Sequence, residues 1–437
     1  MIVGFLVVAL VFFGWGWGLE SAPEADGFLS SHPNNFPHLN AAGFSATFST
    51  QGLVDLTTEY SQAQGSNGRS CQTCHIPQQA WSINPNAIQL LFSLTGGTHP
   101  IFNPLDANNP DTGDFTTVAG RRAGYSMLLN HGVFRRGGAP RADRQWDVIA
   151  VDDPHGFANV NRIVQWRRVM PTINFHLGSA TVNWDGGNSI GVDQRGGLEN
   201  QARRNVTGAQ QGPALPAFPA PLPPPFDAII DNIVDFETSL STAQIFSFTA
   251  GSLNAGGAQG GPELLSRMTK VNGRFDLFDA WIGSRIPGRA QIARGQELFN
   301  NGNGGPTCRG CHSSANNGTS FNNVLFNIQT ASAAVRTPDL PLYTFCRRVT
   351  PAVSCVGDPT AETIQLTDTG RGNVSGLWGD LGRFKTPTLR ALSARAPYFH
   401  NGIAKTLEDV VRHYETHVGF NFTDVERNDL VAFLKAL

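Results

Sequence analysis

A mostly α protein, folded as two compact helical units with many long loops, is the architecture this sequence predicts. Two observations point to two units. Runs of one type, Cys71-Gln72-Thr73-Cys74-His75 and Cys308-Arg309-Gly310-Cys311-His312, stand in opposite halves of the 437-residue chain. Between them, residues 213–225 hold so many prolines that the stretch is stiff, extended and barred from helix. A third observation supplies the helices: apolar residues recur at helical spacing, as in Ile229, Ile230, Ile233, Val234 and Phe236.

Residues 1–25 hold an apolar run to Gly18 and a small-residue stretch from Ser21 to Ala25. They predict export with a cleaved signal peptide, hence a periplasmic or otherwise exported protein. No Lys or Arg precedes Arg69, so the basic start of such a signal is missing, and a retained short membrane anchor is the alternative. Residues 26–212 form the expected N-terminal unit. Its opening stretch, 26–70, is polar and loop-rich, with His32 and His38 expected on the surface. Helices are expected within 81–92 and over about 117–130, and a strand at 146–151. Residues 213–270 are the Pro-rich linker and a connecting helix over 226–240.

Residues 271–437 form the expected C-terminal unit. Its helix at 290–299 carries Gly295 and Phe299 on one face. The last helix, 423–437, opens on a Thr423–Glu426 capping box and carries the stripe Leu430, Phe433, Leu434 and Leu437. A glycine at 295 lets that terminal helix approach closely, as in cytochrome c folds. Only 15% of residues are charged and the formal net charge is −2, which leaves no basic surface for nucleic acid. Cys346 and Cys355, nine apart, predict a local disulfide in an oxidising compartment.

Cys-x-x-Cys-His is the attachment signature of a c-type haem. Two thiols three residues apart reach the two vinyl groups of one porphyrin, and the next residue brings an imidazole under the iron. A zinc knuckle or a thioredoxin-like pair are the competing readings. Four thiolates around zinc do not explain a His after both pairs, and no strand–helix pattern places either pair in a redox fold. Two covalently bound haem c groups follow, one on Cys71, Cys74 and His75, the other on Cys308, Cys311 and His312. His75 and His312 are the expected iron ligands. Each unit is thus cytochrome c-like, with one covalent haem.

Longer motifs add a resemblance. Gly382-Arg-Phe-Lys-Thr-Pro-Thr-Leu-Arg390, Ala396-Pro-Tyr-Phe-His-Asn-Gly402 and Thr406-Leu-Glu-Asp-Val-Val411 resemble the signature of the bacterial dihaem cytochrome c peroxidase and MauG superfamily. In the N-terminal half, Pro171-Thr172 lies thirteen residues before Trp184-Asp185-Gly186, as in that family. Leu198-Glu-Asn-Gln-Ala202 resembles its short helix above the first haem. The resemblance implies that the first haem meets hydrogen peroxide and the second passes electrons. It also implies that Trp184 relays them between the haems. A core indole beside a turn is the plain alternative for Trp184.

Departures from the family matter as much. Tyr414 stands fourteen residues after His400, where typical peroxidases carry a Met ligand and MauG a Tyr. A phenolate favours ferric iron and lowers the potential. His413, or no protein ligand, are the alternatives at that position. The family's catalytic Glu, ten residues beyond the helix Gln that matches Gln201, is here Gln211. An amide holds a hydrogen bond but does not shuttle a proton. Glu199 and His176 are possible substitutes, and His99, His131 and His155 join His176 as candidates for the distal side of the first haem. Val169 replaces an Asn that helps bind calcium in the family, so calcium is not expected.

The sequence therefore predicts an exported dihaem peroxidase-type oxidoreductase, with Trp184, Gln201 and Gln211 as candidate catalytic residues. Its expected partners are hydrogen peroxide and either a small donor protein, of cytochrome c or cupredoxin type, or an oxidisable substrate. Three alternatives stand: MauG-like oxidation of a protein side chain, oxygenation of an organic substrate as in dihaem rubber oxygenases, and a plain electron-transfer cytochrome.

Overall fold

The computed structural model describes residues 30–178, 181–189 and 191–437. The expected signal or anchor at 1–25 lies outside them. No helix among the described residues is long and apolar enough to cross a membrane.

The expectation of a mostly α fold is corrected. Helix accounts for 31% of the structure and strand for 18%, and the strands form five antiparallel sheets among the described residues. The largest has four strands, His38–Asn40, Gly43–Ser49, Leu240–Ser247 and Gly251–Ser252. Hydroxyls are buried at its central pair: Thr47 bonds Thr242 at 2.9 Å, and Ser49 bonds Ser239, the residue just before the strand Leu240–Ser247, at 3.1 Å. Hydroxyl-to-hydroxyl bonds satisfy these groups without water, so they fill an interior face that apolar periodicity does not reveal. Residues expected as loop are thus strand.

His32 and His38 are a second correction. Both are buried, at 5% and 8% exposure. They point inward from short strands and pack on Phe36, at ring separations of 5.3 and 5.4 Å. Stacking on an aromatic ring, not solvation, holds this polar-looking stretch. The helix expected at 117–130 is instead two helices, Val118–Gly124 and Ser126–His131, broken at the buried Tyr125 (φ −110°, ψ 22°).

Helices make the two largest apolar clusters among the described residues. In the first half, Leu198, Ala202 and Val206 pack on Ile230, Ile233 and Val234, with Tyr60 and Trp81 beside them. The Pro-rich stretch is tied down, since Arg203 donates to the carbonyls of Pro216 and Ala220. In the second half, Pro287–Asn301 crosses Asp424–Ala436 over a cluster of Phe275, Phe299 and Phe433. Thr423 caps the last helix in a complete capping box with Glu426.

The halves are stitched together. Leu342–Arg347, from beyond the second Cys-x-x-Cys-His run, pairs with Trp146–Asp152 from the first half. Cys346 is bonded to Cys355 (S–S 1.97 Å), and Asp147 receives both guanidinium branches of Arg348 beside that bond.

Gly295 is where the two C-terminal-half helices touch. A Cβ there would lie 1.9 Å from the Asp429 carbonyl oxygen and 2.8 Å from the Phe433 Cβ. Backbone cannot yield as a flexible side chain does. Gly295→Ala should therefore cost about 1–3 kcal/mol, seen as a lower urea midpoint, whereas Gly305→Ala, which meets nothing within 4 Å, should not.

Candidate functional site

Both Cys-x-x-Cys-His runs adopt one local shape. The His75 amide donates to the Cys71 carbonyl at 3.1 Å, and the His312 amide to the Cys308 carbonyl at 3.0 Å. A tight turn follows from that bond, bringing the two thiols and the imidazole to one side. None of these four cysteines is in a disulfide. Burial raises all four thiols, Cys74 to about 11 and Cys308 to about 12, so they are neutral.

Each imidazole is oriented by a backbone carbonyl. His75 Nδ1 lies 2.9 Å from the Trp81 oxygen and His312 Nδ1 2.6 Å from the Gly318 oxygen. A carbonyl only accepts, so Nδ1 carries the proton and Nε2 keeps a free lone pair. Burial lowers both pKa values to about 4. Neutral rings with Nε2 free are the state an iron ligand requires.

Two cavities receive these groups. The first, of about 720 Å³, is lined by Cys71, Cys74 and His75; the second, of about 250 Å³, by Cys308, Cys311 and His312. Trp184, Arg168, Val169, Pro171, Lys385 and Thr388 line both and so form a common wall. Trp184 is held there by its Nε1–H bond to the Arg168 carbonyl (2.8 Å) and by the Lys385 amide on its own carbonyl (2.8 Å).

The wall is built on an arginine pair. Arg167 is buried and donates two bonds of 2.8 Å to Asp368, and a further one to Asp185. Burial works against its charge, but the two carboxylates outweigh it and hold its pKa above the ordinary value. Arg168 has no such anion. It donates to the Ile83 carbonyl, but its Nη1 is buried without a partner among the described residues. Burial lowers its pKa to about 9.

A haem fits these residues. Paired thiols, an imidazole with Nε2 free, and mostly apolar surroundings in the second cavity match a porphyrin plane. The unpaired Arg168 Nη1, with Lys385 on the same wall, suits the porphyrin's carboxylates.

Other predicted residues divide. Gln201 lines the first cavity; Gln211 does not, and its side chain is exposed. The helix Gln194–Arg204 ends in a π turn, Asn205–Ala209, which shifts the register. Gln210 consequently turns inward, buried in the cavity wall, with its Oε1 on the Gln64 amide (2.7 Å), and Gln211 turns out at φ 55°. Glu199 is paired with Arg195 and Arg203 outside the wall. None of His99, His131, His155 and His176 lines the first cavity. His131 bonds Asp339, and His176 the Leu265 carbonyl.

At the second cavity, Tyr414 is in the lining and His413 is not. His413 is spent on the Ile328 carbonyl, 2.7 Å from its Nε2. The Tyr414 hydroxyl has no hydrogen-bond partner among the described residues, and burial, then the nearby thiols, raise its pKa. None of the described methionines lines this cavity. His400 is stacked on Phe384 at 3.9 Å; both its nitrogens are buried without a hydrogen-bond partner among the described residues, with Nε2 3.9 Å from an Asp368 carboxylate oxygen.

Sequence reasoning missed Arg168, Lys385 and Glu237. Glu237 was within reach: it lies four residues after Ile233 and three after Val234, on the buried face of its helix.

No family model matches the chain. Stretches of it are similar to named proteins. One is the cytochrome c peroxidase IdrP1 of Pseudomonas sp. (strain SCT), 32% identical over 110 residues, covering 23% of this chain and 29% of that protein. Another is the methylamine utilization protein MauG of Methylophilus methylotrophus, 35% identical over 65 residues, covering 12% and 19%. A third is the cytochrome c551 peroxidase of Nitrosomonas europaea, 42% identical over 69 residues, covering 16% and 21%. The chain spans less than a third of the length of these curated relatives.

Removing one carboxylate from the wall tests its dependence on the buried ion cluster. Asp368→Asn leaves Arg167 half-paired out of water and should cost about 3–5 kcal/mol in chemical denaturation.

Proposed function

We propose, from its place in the cytochrome c peroxidase and MauG superfamily, that this chain is an exported dihaem oxidoreductase that reduces hydrogen peroxide in its first cavity with electrons fed from the second. The observation that carries the reading is the repeated turn, two free thiols with an imidazole whose Nδ1 is pinned to a backbone carbonyl, at two cavities sharing one wall. Haem c, when bound, supplies an iron that exchanges single electrons and accepts peroxide oxygen.

The chain's own residues do the rest. Cys71 and Cys74 would tether the first group, and Cys308 and Cys311 the second, one in each of the regions 26–212 and 271–437. His75 and His312 each direct an Nε2 lone pair inward. Gln201 places an amide in the first cavity, where it can hold a hydrogen bond to a peroxide oxygen. Arg168 and Lys385 offer positive charge at the common wall, which favours binding of carboxylates there. Trp184 puts an indole between the cavities, the natural route for an electron. The donor would be a small cytochrome c or cupredoxin-type protein. Export is consistent with the Cys346–Cys355 disulfide, which needs an oxidising compartment.

A second reading, MauG-like oxidation of a protein or organic substrate, is favoured by one observation. Tyr414 lines the second cavity, its hydroxyl has no hydrogen-bond partner among the described residues, and none of the described methionines lines that cavity. A Tyr ligand there would stabilise ferric iron and lower the potential.

Pyridine haemochrome and intact mass of the purified protein should give about two haems per chain, and about one in a Cys308→Ala/Cys311→Ala variant. Peroxide should be consumed with a ferrocytochrome donor; no turnover from either redox form of haem-loaded protein would overturn the peroxidase reading. Tyr414→Phe should erase a phenolate-to-iron absorption band and raise the second potential, and an unchanged spectrum would remove Tyr414 as a ligand.

A further inference from the structure

Three carboxylates line the first cavity: Asp106, Asp185 and Glu237. Asp106 is paired with Arg69 at 2.7 Å and with Arg136 at 3.5 Å, and Asp185 with Arg167. Both are thus already engaged by guanidinium groups. Glu237 is different. It is 1% exposed, its Oε2 is buried without a partner, and no cation pairs with it among the described residues. A charged carboxylate in that setting is strongly disfavoured unless positive charge enters the cavity, so Glu237 is ionised beside an oxidised, more positive group and takes a proton when that charge is lost.

We propose that Glu237 is the proton store of the first site, taking up one proton from water when that site gains one electron and releasing it when the electron leaves. The inference rests on the reading that this cavity holds a haem. The electron comes from the donor side and the proton from bulk water, so the net charge of the buried site is unchanged through the cycle. That neutrality is the driving force, because an uncompensated charge in a dry cavity is costly. It also supplies the titratable acid that the amides of Gln201, Gln210 and Gln211 cannot provide.

The groups facing Glu237 leave it as the titrating one. Tyr60 and Cys71 are both pushed up by burial, with Glu237's own charge adding to each, and Tyr60 is bonded to Thr172 at 2.7 Å. On the neighbouring helix Gln194–Arg204, Arg195 is tied to Glu199, Asp231 and Asp235, and Arg203 to Glu199; Arg204 lines the cavity. Burial moves the Glu237 carboxyl up to about 8. The folded value lies above the unfolded one. Its contribution to stability is therefore fully present below the ordinary carboxyl pKa and is lost as pH rises towards about 8.

The test is a spectroelectrochemical titration of the haem-loaded protein from about pH 6 to about pH 9, with reduced-minus-oxidised infrared spectra. The first-site potential should fall as pH rises, with its reduction equilibrium weakening up to about tenfold per pH unit near the carboxyl's titration. Glu237→Gln should flatten that slope and remove a protonated-carboxyl infrared band; Glu237→Asp should keep both. A Glu237→Gln protein with haem bound and the wild-type slope would overturn the proposal, as would a wild-type spectrum without the band. If the Gln variant fails to fold, the wild-type band and the Asp variant decide. Protein that takes up no haem gives no first-site potential at all, a distinct outcome that overturns the proposed function and this inference with it.

Discussion

Two adjacent arginines buried in one strand are the constraint on which the centre of this molecule depends. Ile163–Arg168 is buried along its whole length, and its last two residues are Arg167 and Arg168. Side chains alternate across a strand, so the pair serves different surroundings. Arg167 spends its guanidinium on Asp368 and Asp185, joining a segment beyond the second Cys-x-x-Cys-His run to one following the first. Arg168 offers its backbone carbonyl to Trp184, and among the described residues its Nη1 has no hydrogen-bond partner and no carboxylate pairs with it. One strand thus closes the fold and furnishes the wall between two cavities.

That wall gives the two sites unequal characters. On one side lies a roomy cavity with several arginines, a buried acid and Gln201. On the other lies a tighter, more apolar one with Tyr414 and His400. The chemistry proposed for each follows from this asymmetry. Room and proton-handling groups suit the cavity that meets a small polar oxidant. Apolar enclosure suits a centre that only passes electrons. Sequence similarity to peroxidases and to MauG, confined to short stretches, is consistent with a common scaffold whose site residues differ.

The grouping of two thiols with an imidazole was legible in the sequence because it is local. Five consecutive residues contain both thiols and the imidazole, and no tertiary knowledge is needed to group them. The last helix was legible for the same reason, its capping box and stripe being written within fifteen residues, 423–437. The strands were not, because Thr47 and Thr242 bury hydroxyls that satisfy one another across the sheet, as Ser49 and Ser239 do at its end. Gln211 was misplaced by a single π turn, which no residue count through a regular helix anticipates. His32 and His38 look like surface loop in a polar stretch, yet each packs on Phe36. Long-range pairs, such as Arg167 with Asp368, were invisible because their partners are 201 residues apart.

The central claim is that two irons sit on either side of the Trp184 wall, each bound through an Nε2 that a backbone carbonyl has freed. Anomalous X-ray scattering at the iron edge, from crystals of the purified protein, tests it most directly. Two iron peaks, one beside His75 Nε2 and one beside His312 Nε2 with Trp184 between them, are the predicted result. A single iron, or zinc held by the cysteine sulfurs, would contradict it.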